Sequence, residues 1–114
     1  MGNCTFRSLW QFCIKVKINT NSIYKAVKII AQDKENPNDP NAKIWFNGNV
    51  DLNTTFYIDA TNAGENKLKA KTFVFIYDLQ DNLLQFIEFH TSCSQPLDAG
   101  DQFGSLLMVD FIPE

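Results

Sequence analysis

Lys71-Thr72-Phe73-Val74-Phe75-Ile76-Tyr77-Asp78-Leu79, then Gln80-Asp81-Asn82, then Leu83-Leu84-Gln85-Phe86-Ile87-Glu88-Phe89-His90, is the stretch that decides the fold class. In an extended chain Phe73, Phe75 and Tyr77 fall on one face, and Val74 and Ile76 on the other. Apolar residues on both faces are the pattern of a strand in the middle of a sheet. Asp81-Asn82 reads as a hairpin tip, and Leu83 to His90 returns antiparallel.

Upstream, Trp10, Phe12, Ile14, Val16 and Ile18 alternate with polar or small residues, the period of a half-buried strand. Asn19 to Ser22 reads as a turn. Tyr24 to Ala31 follows, with Val27, Ile29 and Ala31 on one face. An amphipathic helix competes there, but the β-branched content and short length favour a strand. Residues 32–43, QDKENPNDPNAK, form a polar loop broken by two prolines. Ile44-Trp45-Phe46 is expected to be a short strand closed by a turn at Asn47-Gly48-Asn49. Phe56, Ile58 and Ala60 alternate with Tyr57 and Asp59 in another strand, and residues 62–66 read as loop. Downstream, Ser92 to Gly104 is expected to be a long loop, and Leu107, Val109 and Phe111 the last strand. The expectation is all-β: one antiparallel β-sandwich of about seven strands over residues 1–114.

Composition agrees with a single domain. The 114 residues are 45% hydrophobic and 20% charged, which leaves room for one core and excludes global disorder. A net charge of −3 disfavours nucleic acid as a partner, because phosphate neutralisation needs a basic surface. No apolar run approaches the roughly 20 residues that span a bilayer, so membrane insertion is not expected. Leu9 to Ile18 is interrupted by Gln11, Lys15 and Lys17, so it does not form a signal peptide. Phe6 stands where a myristoylation motif wants Ser or Thr.

Three constellations invite a chemical reading. His90 and Cys93, with Asp98 or Asp101 as orienting group, have the residue types of a thiol nucleophile and its base. The sequence shows none of the geometry that chemistry needs, and an enzyme is not expected. The single His and the spacing of the three cysteines, Cys4, Cys13 and Cys93, give no zinc pattern. The odd number of thiols means one free or intermolecular cysteine under oxidising conditions. The acidic loop, with Asp33, Asn36 and Asp39, offers oxygen ligands suited to calcium, without the spacing of a calcium-binding helix–loop–helix. Its preferred reading is Asx side chains capping their own backbone. No cofactor is required, and calcium is the cation to test. Trp45 and Tyr57 are the candidate platform for a sugar ring, since Phe46 and Phe56 can fill the core instead, although core or structural use is the preferred reading of each.

Residues 86–104 carry a longer pattern, FIEFHTSCSQPLDAGDQFG. It resembles the signature of a family of bacterial domains of unknown function found in secreted, modular, surface-associated proteins. That family's hallmark is a HTSCSQPL stretch followed by a GDxFG turn. His90, Thr91, Ser92, Cys93, Ser94, Gln95, Pro96 and Leu97 match the first piece. Gly100, Asp101, Phe103 and Gly104 match the second. Residues 27–33, 40–48 and 56–60 also look like the family's middle strands, so the resemblance covers about residues 24–112. It implies an extracellular or cell-surface β-rich module with no catalytic role, partnered by neighbouring modules, like subunits or polysaccharide. It also implies a bridge from Cys93 to a cysteine near the first strands, here Cys13 or Cys4.

The signature has its own physical reading. Ser92, Ser94 and Gln95 can bond the backbone of a long loop that Pro96 stiffens. Gly100 and Gly104 can take positive φ at tight turns on either side of Phe103. The leading expectation is therefore a non-catalytic structural or binding module. A carbohydrate-binding module using Trp45 and Tyr57, assisted by calcium, is one alternative. A subunit of an extracellular fibre, built by strand exchange or cross-linking through the odd thiol, is the other.

Overall fold

A computed structural model describes residues 13–18, 23–65, 68, 71–90, 98–104 and 106–109. Eight strands occur among them: β1 (Cys13–Ile18), β2 (Ala26–Gln32), β3 (Ile44–Asp51), β4 (Thr55–Asp59), β5 (Lys71–Tyr77), β6 (Leu83–His90), β7 (Asp98–Phe103) and β8 (Leu107–Val109). A 3-10 turn, Ala60–Ala63, follows β4. All pairings are antiparallel. They make a five-stranded sheet in the order β3-β2-β5-β6-β7 and a three-stranded sheet in the order β4-β1-β8.

The all-β expectation holds, and β5 lies in the middle of the larger sheet, as its two apolar faces require. One face carries Val74 and Ile76 into a core shared with Val27, Ile29 and Ala31 of β2 and Ile87 and Phe89 of β6. Phe56 and Ile58 of β4, in the other sheet, join the same core together with Trp45, Ala60 and Leu68. Two sheets closing on one apolar layer is the sandwich arrangement. The small sheet's register sets Ile14 opposite Ile58 and Val16 opposite Phe56. On the other face of β5, Phe73 and Phe75 are also buried. Phe86 packs against both, with ring centroids 6.1 Å from Phe73 and 5.2 Å from Phe75.

β2 is a strand, not the rival helix; its burial alternates residue by residue from Ala26 to Ala31. Three expectations are corrected. The first concerns Asn47-Gly48-Asn49, which is strand and not turn. β3 runs on to Asp51, with Gly48 opposite Ile29 and the Phe46 ring lying 3.5 Å from where a Gly48 Cβ would stand. That is an ordinary contact, and the chain reverses later, at Asn53 (φ 67). Secondly, part of the expected 92–104 loop is β7, paired with β6 from His90↔Asp98 to Phe86↔Phe103. Its sequence, DAGDQF, has no apolar alternation because it is an edge strand held by its backbone ladder. Gly100 therefore lies within a strand, whereas Gly104 does take positive φ (92°). Thirdly, β5 stops at Tyr77, and Leu79 is in the hairpin turn.

Candidate functional site

The signature of residues 86–104 begins on β6, ends beside β8, and so links the two sheets. At its near end His90 is flanked in the ladder by Lys71 on β5 and Asp98 on β7. His90 and Glu88 are two apart on a strand and so share a face. The His90 Nε2 contacts the Glu88 carboxylate, and the Lys71 Nζ approaches the same oxygen at 3.8 Å. Lys71 is mostly exposed, so its pair is worth little in stability. Glu88 thus takes both contacts on the sheet face opposite the Val74 and Ile76 core layer. Thr91, Ser92, Cys93, Ser94, Gln95 and Pro96 lie outside the described residues, as does Cys4. Cys13 opens β1 opposite Asp59.

At its far end the signature is held by β6. Gln85 occupies a core-side position in line with Ile87 and Phe89, and it is fully buried. Its Oε1 accepts the backbone N–H of Leu106. An ideal Cβ on Gly104 would sit 2.7 Å from the Leu84 carbonyl oxygen and 3.1 Å from the Gln85 Cβ. The glycine thus lets the crossing chain touch the β6 backbone. This supports the loop-locking reading of Gly104. Asp101 and Phe103 belong to β7, with Phe103 opposite Phe86.

The acidic loop is organised from within. Gln32, buried at its base, donates through Nε2 to the carbonyls of Lys34 (2.8 Å) and Asn36 (2.9 Å). The Asp33 Oδ1 accepts the Lys43 N–H at 2.7 Å, closing the loop. The Asn36 Oδ1 accepts the Asn38 N–H at 2.9 Å, and the Asp39 Oδ1 accepts the Asn41 N–H at 2.8 Å. Each of the three residues offered for calcium therefore spends an oxygen on its own loop, as Asx capping predicts. Among the described residues no three His, Cys, Asp or Glu side chains gather as a metal site.

The aromatic pair separates. Trp45 is fully buried, which removes it as a sugar platform. The cause is a β-bulge. Ala31 pairs with Phe46 and Gln32 with Ile44, so Trp45 has no partner across the ladder. Plain alternation would put Trp45 on the outer face with Asn47 and Asn49; the extra residue re-aims it into the core. Phe56 is buried as expected, and the Phe46 ring packs against it at a tilt of 43°, with centroids 4.7 Å apart. Tyr57 remains, 37% exposed, on edge strand β4 opposite Lys15.

Outside the acidic loop, sequence reasoning missed two polar residues that hold the chain in place, Gln85 and Asp78. Gln85 interrupts an apolar alternation, and that misfit was the available signal. Asp78 shapes the β5–β6 hairpin: its Oδ1 accepts the Gln80 and Asn82 backbone N–H groups at 2.9 and 2.8 Å, and its Oδ2 accepts the Asn82 side chain at 2.9 Å. The Asn82 side-chain bond, followed by the backbone bonds, lowers the Asp78 pKa below its ordinary 3.8. A depressed carboxyl pKa means that the ionised form favours the folded turn. Its contribution is present above the ordinary carboxylate value and is lost as pH falls through the lower folded value. In an acid titration by NMR, the Asn82 backbone and side-chain amide shifts should move together, with a midpoint below 3.8. A midpoint at or above the ordinary value would remove Asp78 as the organiser. Tyr77, beside this turn, has its pKa raised, chiefly by burial and against the opposing effect of Lys28.

With this geometry in place, comparison with known families gives one result: the model of a domain of unknown function, DUF7467, matches residues 10–111. The chain belongs to this family. The DUF7467 match starts well upstream of the 24–112 span of the resemblance, and so takes in β1, the central strand of the small sheet. It also spans both sheets, from β1 through β8. Comparison with curated proteins and with solved structures gave no match. Among the described residues of this DUF7467 domain, no helix is long and apolar enough to cross a membrane.

Proposed function

We propose that this domain is a non-catalytic β-sandwich module of a secreted or cell-surface protein, with a structural or binding role toward neighbouring modules. The observation that carries the reading is where the polar side chains are spent. Asp33, Asn36, Asp39, Asp59 and Asp78 each accept a backbone N–H of their own turn or loop. Gln32 and Gln85, both buried, each hold a loop or crossing to the sheets. Chemistry invested this way fixes a shape for presentation. The family resemblance of the 86–104 signature supports the placement outside the cell.

The sugar-platform alternative has lost Trp45 and is not carried forward, and calcium is not part of the proposal. The test is protease shaving of intact cells of the source, followed by immunoblotting of cells and medium. The chain should be released or degraded without lysis, or be found in the medium. A chain digested only after lysis overturns the surface reading.

A further inference from the structure

The β3–β4 turn reads Asp51-Leu52-Asn53-Thr54-Thr55. Asn-x-Thr, with x other than proline, is the acceptor pattern for asparagine-linked oligosaccharide. The pattern alone is common, and what matters is where the fold puts it. Asn53, Thr54 and Thr55 are all exposed. Asn53 stands at the tip with φ 67, the left-handed conformation that asparagine tolerates in tight turns. The Thr54 hydroxyl bonds back to the Asp51 carbonyl and holds the bend.

The Asn53 carboxamide makes no hydrogen bond among the described residues. Other turn asparagines are engaged: the Asn62 Nδ2 donates to the Trp45 carbonyl, the Asn82 Nδ2 to Asp78, and the Asn36 Oδ1 accepts the Asn38 N–H. Thr55, whose hydroxyl completes the pattern, begins β4, the edge of the small sheet. A bulky glycan at this tip projects from a reversal outside the layer where the two sheets meet.

We infer that Asn53 is an acceptor for an asparagine-linked oligosaccharide, added as the chain is exported; this rests on the export reading above. The donor is an oligosaccharide carried on a polyprenyl diphosphate. The Asn53 Nδ2 forms a bond to the anomeric carbon, and the bond from that carbon to the diphosphate oxygen breaks. The lipid diphosphate leaves with the electron pair, and the amide gives up one proton.

The test is to secrete the full chain, behind a cleavable export signal, from yeast, which supplies the transferase. Intact and peptide mass spectrometry are then run before and after peptide-N-glycosidase. Glycan should map to the peptide containing Asn53. It should be lost in Thr55→Ala, kept in Thr55→Ser, and lost in Asn53→Gly, which preserves the left-handed turn. The other Asn-x-Thr triplet, Asn3-Cys4-Thr5, is scored separately by its own peptide. Secreted, folded protein with an unmodified Asn53 overturns the inference, as does glycan that survives Thr55→Ala. Glycan at Asn53 in yeast, from a chain that shaving finds only inside its own cells, would overturn the export reading and with it the modification in the cell, whereas an unmodified Asn53 on a chain that shaving finds outside overturns this inference alone.

Discussion

Trp45→Ala should remove about 3–5 kcal/mol of stability, the usual cost of emptying a large aromatic from a core. For a domain of this size that corresponds to a fall of roughly 10–20 °C in Tm. The expectation follows from full burial of the side chain among the strands of both sheets. Its Nε1 is buried with no hydrogen-bond partner among the described residues. Trp45→Phe should therefore be far milder, about 1–2 kcal/mol, since it keeps a ring and removes an N–H that had no acceptor. Urea unfolding reads both, with the denaturant slope as the check that the transition stays two-state. A Trp45→Ala protein with an unchanged midpoint would mean that the indole packs nothing, and the surface-platform reading would return.

Gly104→Ala should cost about 2–4 kcal/mol, with two sources acting together. A side chain at φ 92 is strained in itself, and the new Cβ would meet the Leu84 carbonyl oxygen at 2.7 Å. Backbone cannot swing away as the end of a flexible side chain can. The loss should fall on the crossing from β7 to β8, so hydrogen exchange at the Leu106 amide, which bonds Gln85, should speed up before the core strands are affected. Gly48→Ala is the internal control. Its Cβ would meet the Phe46 ring at an ordinary 3.5 Å without positive φ, and it should stay within about 0.5 kcal/mol of wild type. Equal effects at the two positions would show that chain entropy, not contact with β6, explains the glycine at residue 104.

Where a short run of residues carried its own pattern, sequence was enough. β5 declared a central position through apolar residues on both faces, and β2 declared a strand through alternation and β-branching. The polar 32–43 stretch announced a loop by its prolines. The misreadings share one cause, dependence on a partner strand. Asn47-Gly48-Asn49 has turn composition, yet β2 pairs with it and the Phe46 ring uses the space above Gly48. β7 has no strand composition because β6 supplies its ladder. Core use was the preferred reading of Trp45 and it holds, but the means was hidden: nothing in residues 44–46 reveals a bulge, which exists only between two strands. The candidate site was less readable still. Gln85 and Gly104 are 19 positions apart, and the contact that gives each its role needs the folded hairpin between them. The signature's central residues, 91–97, fall outside those described, so the thiol and disulfide expectations rest on sequence alone.

The neighbours in the small sheet set how the domain would bear load. β1 and β8 run antiparallel, with Val16 opposite Val109 and Ile18 opposite Leu107. Chain entering β1 and chain leaving β8 therefore meet at the same end of that sheet. Tension applied through the two flanking segments would load the ladder one hydrogen bond at a time, like a zip, and would not shear several at once. β8, only three residues long, would part first. Were such a unit strung between other modules, it would hang to one side of the tether, and the strength of the string would have to come from elsewhere.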